Sequence, residues 1–441
     1  MKKSFYFILI VLTVFSFDES FSQKALTLND AITMALHQNT NLVKSSNSLA
    51  VYQAGVKSAY GNLLPNLNLS GGFSWQRISD DGGKTQLDYF GNPQMIGPSQ
   101  VDSRNWSVGA RGSVTLFDGL SNIASINKSK NDLQSAQFTL EKLKQDVILQ
   151  TVNYYTQIIS YQKLLNFQEE DLNYNKGMLD RIKQMYDLKM ISISDVYSQE
   201  AQTANSQVAY LQAKNNLEKA KIDLLNYLST DVSENYQFDS VLTTIDDSEL
   251  ADNDAQNLFD YALSNRTDYQ SMKLDQKSAQ NQLTISRSGL FPSLSGSYGF
   301  SSSAINPSDL LSRRVYSLGL SLSFPIFSNW NTEYSMQSAE VQVQNSDEDL
   351  KALELNIKSQ VATARLDLET AKKQLDASDV ALTATKQSWQ IKKETYNLGS
   401  ATYLDLQLAY NNYLQAQYNK INNEFKYLIA QYTLLNKIGK Y

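Results

Sequence analysis

Ser293–Phe327 reads SLSGSYGFSSSAINPSDLLSRRVYSLGLSLSFPIF. Leu294, Gly296, Tyr298 and Phe300 alternate with Ser293, Ser295, Ser297 and Gly299. Beyond a Pro/Asp/Ser loop, Tyr316, Leu318, Leu320, Leu322, Phe324 and Ile326 alternate with Ser317, Gly319, Ser321 and Ser323. A strict period of two gives each strand one apolar face and one small, polar face. Strands of about ten residues with that alternation suit a hairpin that spans a bilayer and turns its other face to water. Long helical segments flank the hairpin on both sides, so the question is what such a hairpin does at the end of long helices.

Composition removes several classes. The 441 residues carry a net charge of -6, which leaves no basic stripe for nucleic acid. There is no cysteine, so disulfides, a thiol nucleophile and a lipid-anchor cysteine are all excluded. His37 is the one histidine, which rules out a His-rich metal centre; on the first helix it reads as a polar surface residue. The acids are scattered, with no paired-acid, Gly-rich-loop or nucleophile constellation, so neither an enzyme nor a cofactor site is expected. Lys2 and Lys3, the apolar run Phe5–Phe17 and then Asp18-Glu19-Ser20 read as a secretory leader, residues 1–23. Past residue 23 no run of about 20 apolar residues exists to cross a membrane as a helix.

The rest of the chain is duplicated. Leu64-Pro65-Asn66-Leu67 aligns with Phe291-Pro292-Ser293-Leu294, and Ala35-Leu36 with Ala262-Leu263, at an offset of 227. Leu116-Phe117 aligns with Ile326-Phe327 at an offset of 210, which continues without a gap through Tyr186-Asp187-Leu188 with Tyr396-Asn397-Leu398 and Asp195-Val196 with Asp405-Leu406. The two offsets differ by 17 residues, which fall inside the first hairpin loop. Each half reads helix, strand, loop, strand, long helix, tight turn, helix. The first repeat spans 24–229, with a hairpin at 66–117 and a turn at 187–195. The second spans 255–441, with a hairpin at 293–327 and a turn at 397–405. An acidic connector, 230–254, joins them.

In the first half a helix is expected from Asn29-Asp30 to about Asn62, ended by Pro65. Leu67, Leu69, Gly71, Phe73 and Trp75 then share a strand face, as do Trp106, Val108, Ala110, Val114 and Leu116 on the return. Asp80–Asp102, rich in Gly, Pro and Asp, reads as a long exposed loop. Trp75, Trp106, Tyr298 and Tyr316 lie towards the loop ends, where aromatics form a membrane-interface girdle; in a soluble sheet they would be ordinary strand aromatics.

The long helices carry coiled-coil seams. Leu133, Leu140, Val147, Tyr154 and Tyr161 recur every seven residues, as do Ile158, Leu165, Leu172, Leu179 and Tyr186. The second half repeats the pattern with Val343, Leu350, Ile357, Ala364 and Ala371, and with Val361, Leu368, Leu375, Leu382, Trp389 and Tyr396. Interleaved spacings of four and three imply left-handed supercoiling. A wall helix in a closed ring needs a second seam, and that one is weak.

Four spanning strands cannot close a barrel, because the smallest single-chain barrels have about eight and open edges cannot face lipid. Several copies must share one: a dimer gives eight strands and a trimer twelve, and spacing does not choose between them. Small residues on the polar strand faces suit a wide wet lumen.

The whole mature chain resembles the TolC-like outer membrane efflux protein (outer membrane factor) family. The residues that carry the likeness are the two-fold repeat, Ala35-Leu36 and Ala262-Leu263, Pro65 and Pro292 before the hairpins, Leu116-Phe117-Asp118-Gly119 with Phe324-Pro325-Ile326-Phe327, and above all Tyr396-Asn397-Leu398-Gly399-Ser400-Ala401-Thr402-Tyr403-Leu404-Asp405-Leu406. The resemblance implies an α+β fold: long antiparallel coiled-coil helices forming a periplasmic tunnel, an equatorial region around the connector, and four strands contributed to a homotrimeric, twelve-stranded transmembrane β-barrel in the outer membrane. It implies a duct for tripartite efflux or type I secretion, partnered by a periplasmic adaptor protein, an inner-membrane transporter and outer-membrane lipid. The two helix turns would be the periplasmic entrance. Leu188, Lys189, Leu398, Gly399 and Ser400 would contact the adaptor, with Gly399 suited to a helix end. Asp405 matches the first aspartate of the family's entrance constriction, and Asp195 is its repeat equivalent. Both also fall near a helix start, where a carboxylate is favoured in any protein. The family's second aspartate would fall at Leu408 and its arginine at Ala401, so a gate here is held differently. A passive porin-like pore and a periplasmic coiled-coil structural protein are the rival readings.

Overall fold

The computed structural model describes residues 24–95, 97–233, 236–239 and 255–440. The expected leader, 1–23, and residues 240–254 of the expected connector lie outside them. The described chain runs β1 (Lys24–Leu26), α1 (Leu28–Gln38), α2 (Thr40–Gly61), β2 (Asn66–Asp80), β3 (Thr85–Leu87), β4 (Pro93–Met95), β5 (Ser99–Phe117), α3 (Ser121–Asp187), α4 (Ile193–Tyr227), β6 (Tyr236–Phe238), α5 (Ala255–Asn265), α6 (Thr267–Ser288), β7 (Ser293–Ala304), β8 (Val315–Ser323), α7 (Asn331–Asn397) and α8 (Tyr403–Ile438).

The repeat holds at the level of single residues. α1 and α2 recur as α5 and α6 with every bound displaced by 227, and α3 recurs as α7 with both bounds displaced by 210. Even strained backbone repeats: Gly119 and Leu120, before α3, have φ of 67° and 74°, and their counterparts Asn329 and Trp330, before α7, have 50° and 64°. Gly119 must be glycine, because a Cβ there would sit 2.9 Å from both the Phe291 side chain and the Ser288 carbonyl oxygen.

The chain divides into two compact units, and neither coincides with a repeat: α3, α7 and α8 each contribute residues to both. One is built from the segments up to Asn39, Val147–Asp246 and Thr370–Tyr432. Here Val152, Leu428 and Tyr432 pack with Leu28, Ile32, Ile148 and Leu149. β1 and β6 pair in parallel, and the Tyr155 hydroxyl lies 2.8 Å from the Leu26 carbonyl oxygen and 2.9 Å from that of Asp239. Burial pushes that hydroxyl up to about 12. α3 buries more than its expected seam: Val152, Tyr155, Ile159 and Ile182 are buried beside Val147, Ile158 and Leu172. α7 keeps a narrower buried row, with Leu355, Leu366, Val380 and Ile391 exposed.

The expected single first helix is broken in two. Its start is a capping box, Thr27 with Asp30. At Asn39 the backbone leaves the helix, with ψ of 120°, and the buried side chain donates to the Tyr227 carbonyl oxygen at 3.2 Å. The equivalent break in the second half falls at Arg266.

The other unit is built from Thr40–Asp146, Asp247–Glu369 and Thr433–Tyr441. It holds the four-stranded antiparallel sheet β2-β5-β7-β8, with β2 and β8 as open edges. The central pairing, β5 with β7, joins the two repeats (Ala110 with Phe300, Gly112 with Tyr298), and a bulge between Thr115 and Phe117 shifts its lower end. Two local expectations are corrected. β8 stops at Ser323, short of Phe327, because Pro325 offers no N–H to a ladder. The strands of the first hairpin are 15 and 19 residues long. The loop expected over Asp80–Asp102 is shorter and carries its own hairpin, β3 with β4, held by Asp88, which accepts from the Phe90 and Asn92 amides at 2.9 and 2.8 Å.

Candidate functional site

The register assigns the sheet faces. Leu69 pairs with Ala110, Ala110 with Phe300 and Phe300 with Tyr316; one step along, Val108 pairs with Gly71, and Tyr298 with Gly112 and Leu318. That face is apolar and uncovered among the described residues: Leu318 and Leu320 are 89% and 75% exposed. The opposite face carries Asn66, Asn68, Ser70, Arg111, Ser113, Ser297, Ser301, Ser317 and Ser321.

The four girdle candidates divide. Trp106 packs on Phe73 at 4.5 Å between ring centroids, Tyr316 on Phe300 at 5.4 Å, and Trp75 lies under the Arg77 guanidinium at 5.3 Å. Tyr298 sits mid-strand with its ring over Gly112, where any Cβ would fall 2.2 Å from the ring. At the helix-proximal end of the sheet, Phe291, Phe324, Phe327 and Trp330 are exposed, and Trp330 meets Phe327 edge-on at 5.9 Å. Sequence reading passed over this second aromatic cluster, although the bulky residues around Pro292 and Pro325 were its signal.

The helix turns are two copies of one structure. α3 ends with the Lys189 amide donating to the Tyr186 carbonyl oxygen at 2.8 Å and the Met190 amide to that of Met185 at 2.9 Å; α7 ends with the matching bonds from Gly399 to Tyr396 at 3.0 Å and from Ser400 to Thr395 at 2.8 Å. These are Schellman ends, which need a left-handed residue at their centre. Lys189 has φ of 61° and Gly399 of 75°. Leu188 and Leu398 stand 72% and 79% exposed, with Met190 and Leu404 also exposed beside them. Neither of the last two was singled out in the sequence.

Asp195 and Asp405 each complete a capping box. Asp195 accepts from the Ser192 amide at 3.2 Å and from its hydroxyl at 3.0 Å; Asp405 accepts from the Thr402 amide at 3.2 Å and from its hydroxyl at 2.8 Å. The Thr402 hydroxyl bond holds the Asp405 carboxyl below its usual value. Beneath the turns, Met178, Ile182, Val196 and Leu406 are buried with Trp389, Tyr396 and Tyr403 against them.

A buried polar cluster follows. Asp171 accepts from the Tyr410 hydroxyl and the Asn175 amide, each at 2.9 Å. Gln199 donates to the Asn175 side-chain oxygen at 3.1 Å and accepts from Tyr403. Burial raises the Tyr410 hydroxyl and pushes Tyr403 up to about 12, so both stay protonated donors near neutrality.

Among the described residues no group of three His, Cys, Asp or Glu is placed to hold a metal ion. The model of the family described as outer membrane efflux protein matches residues 31–230 and 258–440. The pyoverdine export outer membrane protein OpmQ of Pseudomonas aeruginosa is 23% identical over 302 residues, 68% of this chain; the chain spans 61% of that relative's length. The outer membrane channel CmeC of Campylobacter jejuni superposes with a TM-score of 0.79 at 17% identity, covering 93% of this chain and 85% of CmeC. The outer membrane protein VceC of Vibrio cholerae gives 0.80 at 15% identity, covering 93% and 96%. With both repeats matched, the chain belongs to the outer membrane efflux protein family.

Proposed function

We propose that three copies of the chain build one twelve-stranded barrel, and that the assembly is the outer duct of a tripartite export system. It receives cargo from an inner-membrane transporter through a periplasmic adaptor. The observation that carries this reading is the open sheet: four strands with two unpaired edges and an uncovered apolar face. Edges of that kind persist in lipid only where other copies pair with them. Exposed Leu355, Leu366, Val380 and Ile391 on α7 give the copies apolar contacts along their helices. Trp75, Trp106 and Tyr316 stand towards the outer loops as the lipid-interface aromatics, with Phe327 and Trp330 at the inner end.

The helix turns face the adaptor. Leu188, Lys189, Leu398, Gly399 and Ser400 form the contact, widened by Met190 and Leu404. Asp195 and Asp405 lie at the entrance, where their first task is to start α4 and α8; an acidic ring at Asp405 would add cation preference there.

Leu398→Asp tests the reading. The side chain is exposed, so the trimer should assemble normally. Burying one leucine contributes about 1.5–3 kcal/mol, so adaptor affinity of the purified trimer should fall roughly ten- to hundredfold. A monomeric, water-soluble protein, or a variant with unchanged adaptor affinity, overturns it.

A further inference from the structure

The polar face of the sheet is almost chargeless. Along β2 it reads Asn66, Asn68, Ser70, Gly72, Ser74 and Gln76, and along β7 and β8 it is serine and glycine except for Val315. Arg111, on β5, breaks the pattern. It stands in register with Asn68 on one side and Gly299 on the other. It borders a concavity of about 380 Å³ lined by Asn66, Asn68, Ser113, Ser297 and Ser301.

A structural arginine in this same sheet looks different. Arg77, on the apolar face, is held by both oxygens of Asp102 at 2.7 and 2.9 Å. Among the described residues no carboxylate meets Arg111. The one acid on this face of the four strands is Asp80, at the far end of β2, and Lys84 meets that at 3.4 Å. An exposed guanidinium ringed by serine hydroxyls and asparagine amides is built to meet a diffusible anion, since arginine binds carboxylates and phosphates through paired N–H donors.

We propose that Arg111 makes the barrel lumen anion-attracting and is a specificity-determining residue for anionic cargo. The inference rests on the reading that this face lines a shared wet lumen, where three copies set three guanidiniums at one level. Such a collar raises the local concentration of anions and resists cations. Its reach is the Debye length, about 10 Å at 0.1 M salt and about 3 Å at 1 M.

The test uses the purified full-length protein in planar bilayers under a potassium chloride gradient. Arg111→Ala should shift the reversal potential toward cation preference, changing the chloride-to-potassium permeability ratio at least about twofold at 0.1 M and much less at 1 M. Arg111→Lys should keep the wild-type sign, and Arg111→Glu should shift further than alanine. Hexacyanoferrate(II) added from the loop side should slow current through wild type and not through Arg111→Ala. Pores of normal conductance with the same reversal potential and the same block in wild type and Arg111→Ala overturn the assignment. A wild-type protein that forms no pore defeats the channel reading beneath it, which is a separate and recognisable outcome. A heat-resistant trimer for each variant confirms that the barrel formed.

Discussion

The break between α5 and α6 offers a sharp test of how the fold is held. Arg266 sits there with its side chain 5% exposed. Its Nε and Nη2 donate to the two Asp268 oxygens at 3.0 and 2.5 Å, and its Nη1 donates to the Gln360 side chain at 3.0 Å and to the Lys437 carbonyl oxygen at 3.3 Å. One side chain thus ties the start of α6 to α7 and to the last turn of α8. Arg266→Ala removes all four bonds and leaves Asp268, whose side chain is 25% exposed, without its guanidinium. Breaking a buried pair costs about 3–5 kcal/mol. Lys142 also favours the Asp268 charge, which puts the expected loss near the lower end, about 3 kcal/mol. Over 441 residues, at roughly 2.1 cal/mol/K each, that lowers the melting midpoint by about 3 °C.

The pH dependence is more diagnostic. In the wild type burial pushes the Asp268 carboxyl up, and the Arg266 guanidinium, joined by Lys142 and the Tyr269 amide, more than offsets it and holds the carboxyl below its ordinary value. Its stabilisation is therefore fully present above about pH 4 and is lost as pH falls through the folded value. In the variant, burial remains and the carboxyl rises above its unfolded value. That contribution is then fully present at low pH and is lost as pH climbs through the raised value. The gap between wild type and Arg266→Ala should be narrower at pH 3 than at pH 7, with a remainder from the lost Gln360 and Lys437 bonds, read by calorimetry of the trimer in detergent. Arg266→Lys should fall between them, because it keeps the charge and loses the fork. Equal midpoints, or a gap that does not change with pH, would refute the assigned role.

Gly112→Val forces the Tyr298 ring off its seat and should destabilise the barrel by about 1–3 kcal/mol; the trimer should dissociate on gels at a lower temperature, and Gly112→Val with Tyr298→Ala should recover part of the loss. Lys189→Gly removes a left-handed lysine and should slow hydrogen exchange at the first turn, whereas Gly399→Ala should speed it at the second, by about 1 kcal/mol in each direction; nothing lies within 4 Å of the added Gly399 methyl, so contacts cannot explain the change. Asp405→Ala should shift pore selectivity away from cations and weaken the start of α8. In the wild type, with the Asp405 carboxyl held below 3.8, that cap should persist above about pH 4 and loosen below it, followed by exchange at the second turn. Unchanged selectivity would leave Asp405 as a cap alone.

What the sequence determined by itself was everything written as a period. Two-residue alternation marks the hairpins, seven-residue rows mark the long helices, and the offsets of 227 and 210 place the second half of the fold on the first. These properties are local, so each stretch declares its own element before it meets a partner. The helix turns were legible for the same reason: Gly399 and the Thr402–Asp405 pair act within one turn of chain. Tertiary structure decided the rest. The helix break at Asn39 depends on the Tyr227 carbonyl oxygen, 188 residues away, and the place of Arg266 depends on Gln360 and Lys437. Tyr298 joins the β5 strand only because β5 pairs with β7 across the repeat, a partnership that no spacing within either strand encodes. Alternation puts Arg111 on the polar face, and the same pairing sets it beside Gly299. Periodicity says which residues share a face, whereas only long-range contact says what that face meets.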